Sequence, residues 1–200
     1  MFTPDDLRQL LAACPATPLG TRDRAVLMTL LDTGLRVSEL VRLTLDDVDL
    51  ATQRLRVLYA KGNKQRVVAF SDDCRRELRR FLKLRGDEPG PLFCASDGHG
   101  SLRQTVALRP NGVKHLLRRL GRTTGLTKVH AHRFRHTFAT WAIEQGAREL
   151  DVQLLLGHSS PDMVRRYASS YNAEQAARRH VEFSPASFLA GSTRAATATG

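Results

Sequence analysis

Between residues 54 and 70 the apolar period of this 200-residue chain changes from that of a helix to that of a strand, and it changes back directly afterwards. RLRVLYA alternates from Arg54 to Tyr59, and RVVAF from Arg66 to Phe70 is a second short apolar run. Lys61-Gly62-Asn63-Lys64 lies between them and reads as a tight hairpin turn. Nearly everything else with a period reads as helix. These features predict a mainly α chain with a small antiparallel β-sheet, an α+β fold, with no internal repeat.

The helix signals are local and specific. Thr3-Pro4-Asp5-Asp6 combines a Thr cap, Pro at the first helical position and acids at the positive end of the dipole. Leu7, Leu10 and Leu11 follow at helical spacing. A second helix is predicted over 22–32, closed by Gly34 as a left-handed cap. Ser38 is placed to open a short third helix bearing Leu40, Val41 and Leu43, and Ser71 to cap one that runs to Arg85. The segment 86–101 reads as loop with a short strand at Leu92-Phe93. Further helices are predicted from Pro110-Asn111, over 131–145, and over 149–156 with Gly157 as the stop. Ser160-Pro161-Asp162 opens another through Tyr167, and a last one covers 172–181. Residues 184–200 are small, polar and aperiodic, as a mobile tail would be.

Charge narrows the class of partner. Lys and Arg total 31 against 20 acids, a formal net charge of +11, which attracts polyanions, DNA and RNA foremost. No apolar run approaches the roughly 18 residues of a membrane span, and the N-terminus lacks a secretory layout. Cys14, Cys74 and Cys94 are odd in number and have no CxxC pair. That argues against a disulfide framework or a thiolate zinc site, and suits a reducing cytoplasm.

The stretch HAHRFRHTFATW, 130–141, concentrates cations on a helix. His132 and Arg135 are three apart and share a face, while Phe134, Phe138 and Trp141 supply the apolar stripe that docks it. His132 and Arg135 then fall near the edge of that stripe. A metal reading needs His130, His132 and His136 to converge, with no acid between them as in HExxH and with Arg133 and Arg135 repelling a dication. His136 is better read as a buried, hydrogen-bonded side chain. In TGLRVSEL, Arg36 follows a glycine cap with Glu39 three residues on, suited to bidentate contact with phosphate oxygens; the alternative is a routine surface ion pair. In LLLGHSSPDMVRRY, His158 follows a cap glycine and Tyr167 stands nine residues later. Two arginines, two histidines, a turn lysine and a tyrosine together suit phosphoryl transfer.

TGLRVSEL, KGNK, HRFRHTFAT and LLGHSS followed by Tyr resemble, in order and spacing, the signature boxes of the tyrosine recombinase (phage integrase) family in its Xer-like branch, over residues 3–177. The resemblance implies that Arg36 and Arg135 clamp the scissile phosphate and that Glu39 supports Arg36. Lys61 would protonate the leaving 5′ oxygen, with Lys64 as the other candidate in the turn. His132 and His158 would contact the phosphate or assist proton transfer, and Tyr167 would attack phosphorus to give a 3′-phosphotyrosyl link. Tyr171 is a rival nucleophile, and Tyr59 reads as structural. The chemistry needs no metal, ATP or other cofactor.

The partner implied is double-stranded DNA, within a homo-oligomeric, tetrameric synapse, the chain being monomeric or weakly associated when free. Lys64, Lys114, Arg118, Arg119, Arg133, Arg165 and Arg166 are candidate phosphate contacts, a solvated basic face being the other reading of each. Residues 1–183 are expected to form the catalytic domain, without the helical core-binding domain that usually precedes it in the family. A type IB topoisomerase-like nicking-closing enzyme and a non-catalytic DNA-binding protein of the same fold are the alternatives. An RNA-binding role is weaker, since no aromatic-rich stacking strand appears.

Overall fold

The computed structural model describes residues 1–58 and 65–157. The hairpin turn 61–64, the helices expected over 160–167 and 172–181, and the tail 184–200 lie outside the described residues.

Thr3 starts α1 (Pro4–Ala12) as expected: its Oγ1 accepts the Asp6 N–H at 3.1 Å, and the Asp6 carboxylate accepts the Thr3 N–H at 3.0 Å. The second helix, α2 (Pro18–Thr33), begins earlier than its apolar period suggests. Thr17 is the cap, accepting the Gly20 N–H at 3.1 Å, and Pro18 occupies the first helical position where it is harmless. Gly20 is required there, because a Cβ would stand 1.9 Å from the Pro15 carbonyl oxygen. The next helix, α3 (Val37–Leu40), corrects the expected Ser38 start: Arg36 is the cap, and Glu39 accepts its backbone N–H.

The sheet is the expected hairpin with one more edge. β1 (Val48–Asp49), β2 (Arg54–Leu58) and β3 (Gln65–Ala69) run antiparallel in the order β1-β2-β3, with Arg54 opposite Ala69 and Leu58 opposite Gln65. Leu55, Val57 and Val68 face the core while Arg54, Leu58 and Val67 face solvent. Ser71 caps α4 (Asp72–Arg85) as predicted. The strand expected at Leu92-Phe93 is displaced: those two residues are buried in the core, and the strand is β4 (Cys94–Ser96), paired with β5 (Leu102–Ala107) across a bulge. The remaining helices are α5 (Pro110–Thr124), α6 (Ala131–Glu144) and α7 (Glu149–Leu156), close to their expected limits.

The core forms around α2, which packs on α4 and α6. Ala25, Val26, Leu27 and Leu30 meet Leu78 and Phe81 of α4 and Phe134 of α6 in one buried cluster, each large side chain contributing roughly 2 kcal/mol by burial. The first residues belong to this core too. Phe2 is fully buried with its ring centroid 4.7 Å from that of Phe134, and its N–H donates to Thr137 Oγ1 at 2.8 Å. A smaller cluster of Ala139, Ile143, Val152 and Leu156 joins α6 to α7. Cys74 is a free thiol, pushed up to about 12 by burial, so it stays protonated and unreactive. No helix among the described residues is long and apolar enough to cross a membrane.

Candidate active site

The site is assembled where the carboxyl ends of α2 and α7 meet the middle of α6. Both helices end in a left-handed glycine, Gly34 at φ 61° and Gly157 at φ 64°, leaving carbonyls that point out of the last turn. Arg135 bridges them: Nη1 donates to Gly34 O at 2.7 Å and Nη2 to Leu156 O at 2.9 Å. The guanidinium therefore lies at the negative ends of two helix dipoles. Arg135 is buried, at 4% exposure, not at the edge of the apolar stripe as the helical pattern suggests. At Gly34 a Cβ would stand 2.6 Å from Leu156 Cδ2 and 2.7 Å from Phe138 Cδ1, so close approach and positive φ both demand glycine.

Two residues after Gly34, Arg36 leaves the helix end exposed, with a carboxylate behind it. Glu39 accepts the Arg36 N–H at 2.8 Å through Oε2 and Arg36 Nη1 at 3.2 Å through Oε1. Arg66 of β3 grips the same carboxylate bidentately, with Nη1–Oε1 and Nη2–Oε2 both 2.9 Å. Its Nε donates to Leu155 O at 2.8 Å. Burial alone would raise the Glu39 carboxyl. The Arg66 and Arg36 hydrogen bonds and the two guanidinium charges override it and hold the group below the usual carboxylate value. Arg66 is the site residue that motif reading missed. The strand alternation carries a signal for it, because Arg66 shares the inward face with Val68, and an inward-facing arginine requires a buried acceptor.

The three histidines of the opening turn of α6 separate. His132 is exposed on the face that also carries Arg135. His136 is half-buried, with Nδ1 3.4 Å from Thr140 Oγ1. His130 is the N-cap, its Nδ1 accepting the Arg133 N–H at 3.2 Å. Burial first, then the charges of His132, Arg133 and Lys128, hold His130 below its ordinary 6.5. A protonated Nδ1 cannot accept, so the unfolded chain takes up the proton first as pH falls. The cap's contribution is whole above about 6.5 and is lost as pH drops from there through the lower folded value. His136, lowered by burial and then by the N-terminal ammonium and His132, adds a slope of the same sign. Replacing His130 by Asn, a cap that does not titrate, is expected to flatten the fall in melting temperature between about pH 8 and pH 5. Parallel curves for both proteins would remove His130 from that dependence.

Beside the site lies a basic trough. An open recess of ≈ 440 Å³ is lined by Lys114, Arg118, Arg122, Lys128 and His130. A neighbouring one of ≈ 320 Å³ shares Lys114 and His130 and reaches Val37 and Ala131, the residues next to Arg36 and His132. Arg133 is engaged elsewhere: it donates to Met1 O and Thr127 O, meets the Asp6 carboxylate, and covers the Phe2 ring at 4.0 Å. Arg119 is paired with buried Asp23. The structure thus brings Arg36, Glu39 and Arg135 together, with His132 on the Arg135 face and Lys114 and Arg118 along the trough. Tyr59, Lys61, Lys64, His158, Arg165, Arg166, Tyr167 and Tyr171 lie outside the described residues.

Comparison with known proteins identifies the family. The model of the phage integrase family matches residues 1–174. Tyrosine recombinase XerC of Staphylococcus carnosus (strain TM300) is 39% identical over 159 residues, covering 78% of this chain and 51% of the relative. Tyrosine recombinase XerA of Thermococcus kodakarensis is 36% identical over 166 residues, covering 83% and 56%. The chain thus spans about half the length of the relatives it matches. Among solved structures, a XerA recombinase superposes with a TM-score of 0.71 at 27% identity, over 92% of this chain and 65% of that one. A XerH site-specific recombinase bound to difH substrate, in a pre-cleavage complex, gives 0.68 at 26%, over 88% and 51%. With its α+β catalytic-domain fold and the family's signature boxes, the chain belongs to the phage integrase family of tyrosine recombinases.

Proposed function

We propose that this chain is the catalytic domain of a site-specific DNA recombinase, acting in the cytoplasm within a homo-oligomeric, tetrameric assembly on duplex DNA. The observation that carries the reading is the junction of Gly34 with the carboxyl end of α7: Arg135 bonds a carbonyl on each side of it, and Arg36, two residues after Gly34, is held there by Glu39. Cations gathered with an exposed imidazole suit an anion that gains charge during reaction, as a phosphodiester does.

In the proposed reaction the Tyr167 phenolic oxygen attacks the scissile phosphorus. The Oη–P bond forms as the P–O5′ bond breaks, giving a 3′-phosphotyrosyl link. Arg36 and Arg135 bind the non-bridging oxygens and offset the charge of the phosphorane. A free phenol ionises near pH 10, so in this scheme the arginines also favour its deprotonation and His132 takes up the proton. Lys61 delivers a proton to the departing 5′ oxygen, and His158 completes the phosphate contacts. The link retains the energy of the phosphodiester, so a hydroxyl of another strand can reverse the step. Lys114 and Arg118 would hold the duplex backbone along the trough, which positions DNA without reading its sequence.

The test is covalent capture. A pool of nicked duplexes with a randomised core is incubated with the protein in EDTA, and adducts that survive denaturation are isolated and sequenced. Capture of a defined sequence by the wild type, lost in Tyr167→Phe, is the expected result. Capture that persists in Tyr167→Phe but disappears in Tyr171→Phe moves the nucleophile. Sequence-independent capture with relaxation of supercoiled plasmid, and no strand exchange, points to a nicking-closing enzyme. Duplex binding without capture sinks the catalytic reading.

A further inference from the structure

Arg66 has no part in the chemistry set out above, yet it touches both halves of the site. Its guanidinium and the Glu39 carboxylate are each only 8% exposed, and they meet through two parallel 2.9 Å bonds. The same carboxylate holds the Arg36 backbone and side chain. The third contact, Nε to Leu155 O at 2.8 Å, falls one residue before the carbonyl that receives Arg135. A planar fork with a fixed third donor ties two groups at a set distance and angle, which a flexible ammonium cannot do. Arg66 is the second residue of β3, and no other described side chain bonds both Glu39 and α7. The exposed Arg36 side chain is thus aimed by a carboxylate that is itself aimed by Arg66.

We propose that Arg66 is a positioning residue for strand cleavage: by clamping Glu39 to the Leu155 carbonyl, it locks Arg36 and the carboxyl end of α7 into one frame around the scissile phosphate. The inference rests on the recombinase reading and adds a residue to it. It requires the geometry of Arg66 and not only its charge. Lysine at this position keeps a cation beside Glu39 but cannot make the fork and the α7 bond together.

The experiment uses the duplex recovered by covalent capture with the wild-type chain, in two forms. One carries an ordinary phosphodiester at the scissile position, the other a methylphosphonate there, which lacks one non-bridging charge. Single-turnover adduct formation is measured at saturating DNA for the wild type, Arg66→Lys and Arg66→Gln. Arg66→Lys is the principal variant, because it leaves Glu39 paired where Arg66→Gln risks unfolding. On the phosphodiester, Arg66→Lys is expected to be slower than the wild type by roughly 10–100-fold, the scale on which an ångström of misplacement acts, with duplex affinity unchanged. On the methylphosphonate, where less charge has to be met by Arg36, most of that deficit is expected to disappear. Equal rates for Arg66→Lys and the wild type on the phosphodiester overturn the proposal. So does a deficit of the same size on both substrates, which is the signature of general structural damage. No capture by the wild type on any duplex overturns the recombinase reading itself, and with it this inference.

Discussion

Arg135→Lys is expected to lower the single-turnover rate of strand cleavage by roughly 10²–10³-fold at saturating DNA, while the protein remains folded. Gly34 O and Leu156 O belong to different helix ends, and the Arg135 guanidinium reaches both, at 2.7 and 2.9 Å. Those two bonds fix the plane and rotation of the group, so its charge is presented to the site in one orientation. An ammonium on a flexible stem keeps the charge but spans neither the pair of carbonyls nor two phosphate oxygens as a fork. The rate should therefore fall much further than duplex affinity, because the interaction is strongest when charge has built up on phosphorus. Arg133→Lys, two residues earlier on the same helix, is the control. Its guanidinium covers Phe2 and binds Met1 O, so it should cost stability and leave the rate per folded molecule nearly unchanged. Cleavage lost equally in both variants would show that α6 as a whole had been damaged, and would remove Arg135 from the phosphate clamp. Arg36→Lys combined with Arg135→Lys should be little worse than either alone, since groups acting as one clamp are not additive.

What could be read from the chain alone was what local chemistry decides. The Thr3 cap, the Ser71 cap, the Gly34 and Gly157 stops and the two strands of the hairpin each declare themselves within a few residues. The structure departs from that reading where a neighbour distant in sequence decides. The helix expected from residue 22 begins at Pro18, because Thr17 makes Pro18 a helix start and Pro15 packs where only Gly20 leaves room. Serine is a good cap, so Ser38 reads as the α3 start, whereas the Glu39 carboxylate caps the backbone of Arg36. The strand expected at Leu92-Phe93 is displaced onto β4, and β5 leaves no apolar signal because it is largely solvent-exposed, so its pairing comes from backbone hydrogen bonds. At the site, motif spacing identified Arg36, Glu39 and Arg135 as candidates but could not tell that Arg135 is buried. The carbonyls that cover it come from α2 and α7. Arg66 carries no motif for the same reason: its partners are Glu39 and Leu155, far away in the chain on either side. Period and spacing report which face a side chain is on, and tertiary structure decides what meets it there.

The largest loss of stability is expected at Arg85, where Arg85→Met should cost about 3–5 kcal/mol, roughly 10 °C in melting temperature for a chain of this size. Arg85 is the last residue of α4 and is fully buried. Its five N–H donors are all used on carbonyls. Nε and one Nη2 proton go to Pro91 O at 3.3 and 3.2 Å, and the other Nη2 proton goes to Gln104 O at 3.2 Å. Nη1 donates to Gly86 O at 3.0 Å and also to Glu88 O. One side chain thus folds the 86–91 loop around itself, ties it to β5, and places a positive charge at the negative end of α4. Methionine fills similar space but leaves four carbonyls without this donor, and the cost is the desolvation of those oxygens, with little lost packing. Arg85→Lys, with three donors, should fall between. Arg76→Met is the control on the same helix: Arg76 is well exposed and pairs with exposed Asp73, so its loss should stay within about 0.5 kcal/mol. The effect should reach the site only through folding. Leu92 N–H donates to Leu43 O at 2.7 Å and Leu45 N–H to Gly90 O at 3.2 Å, so the loop that Arg85 organises braces the segment following α3. Thermal unfolding of the three variants, with cleavage measured well below their midpoints, separates the two levels. A melting temperature for Arg85→Met within a degree or so of Arg76→Met would mean that water replaces the guanidinium at little cost. In that case the loop 86–91 would hold its shape without Arg85.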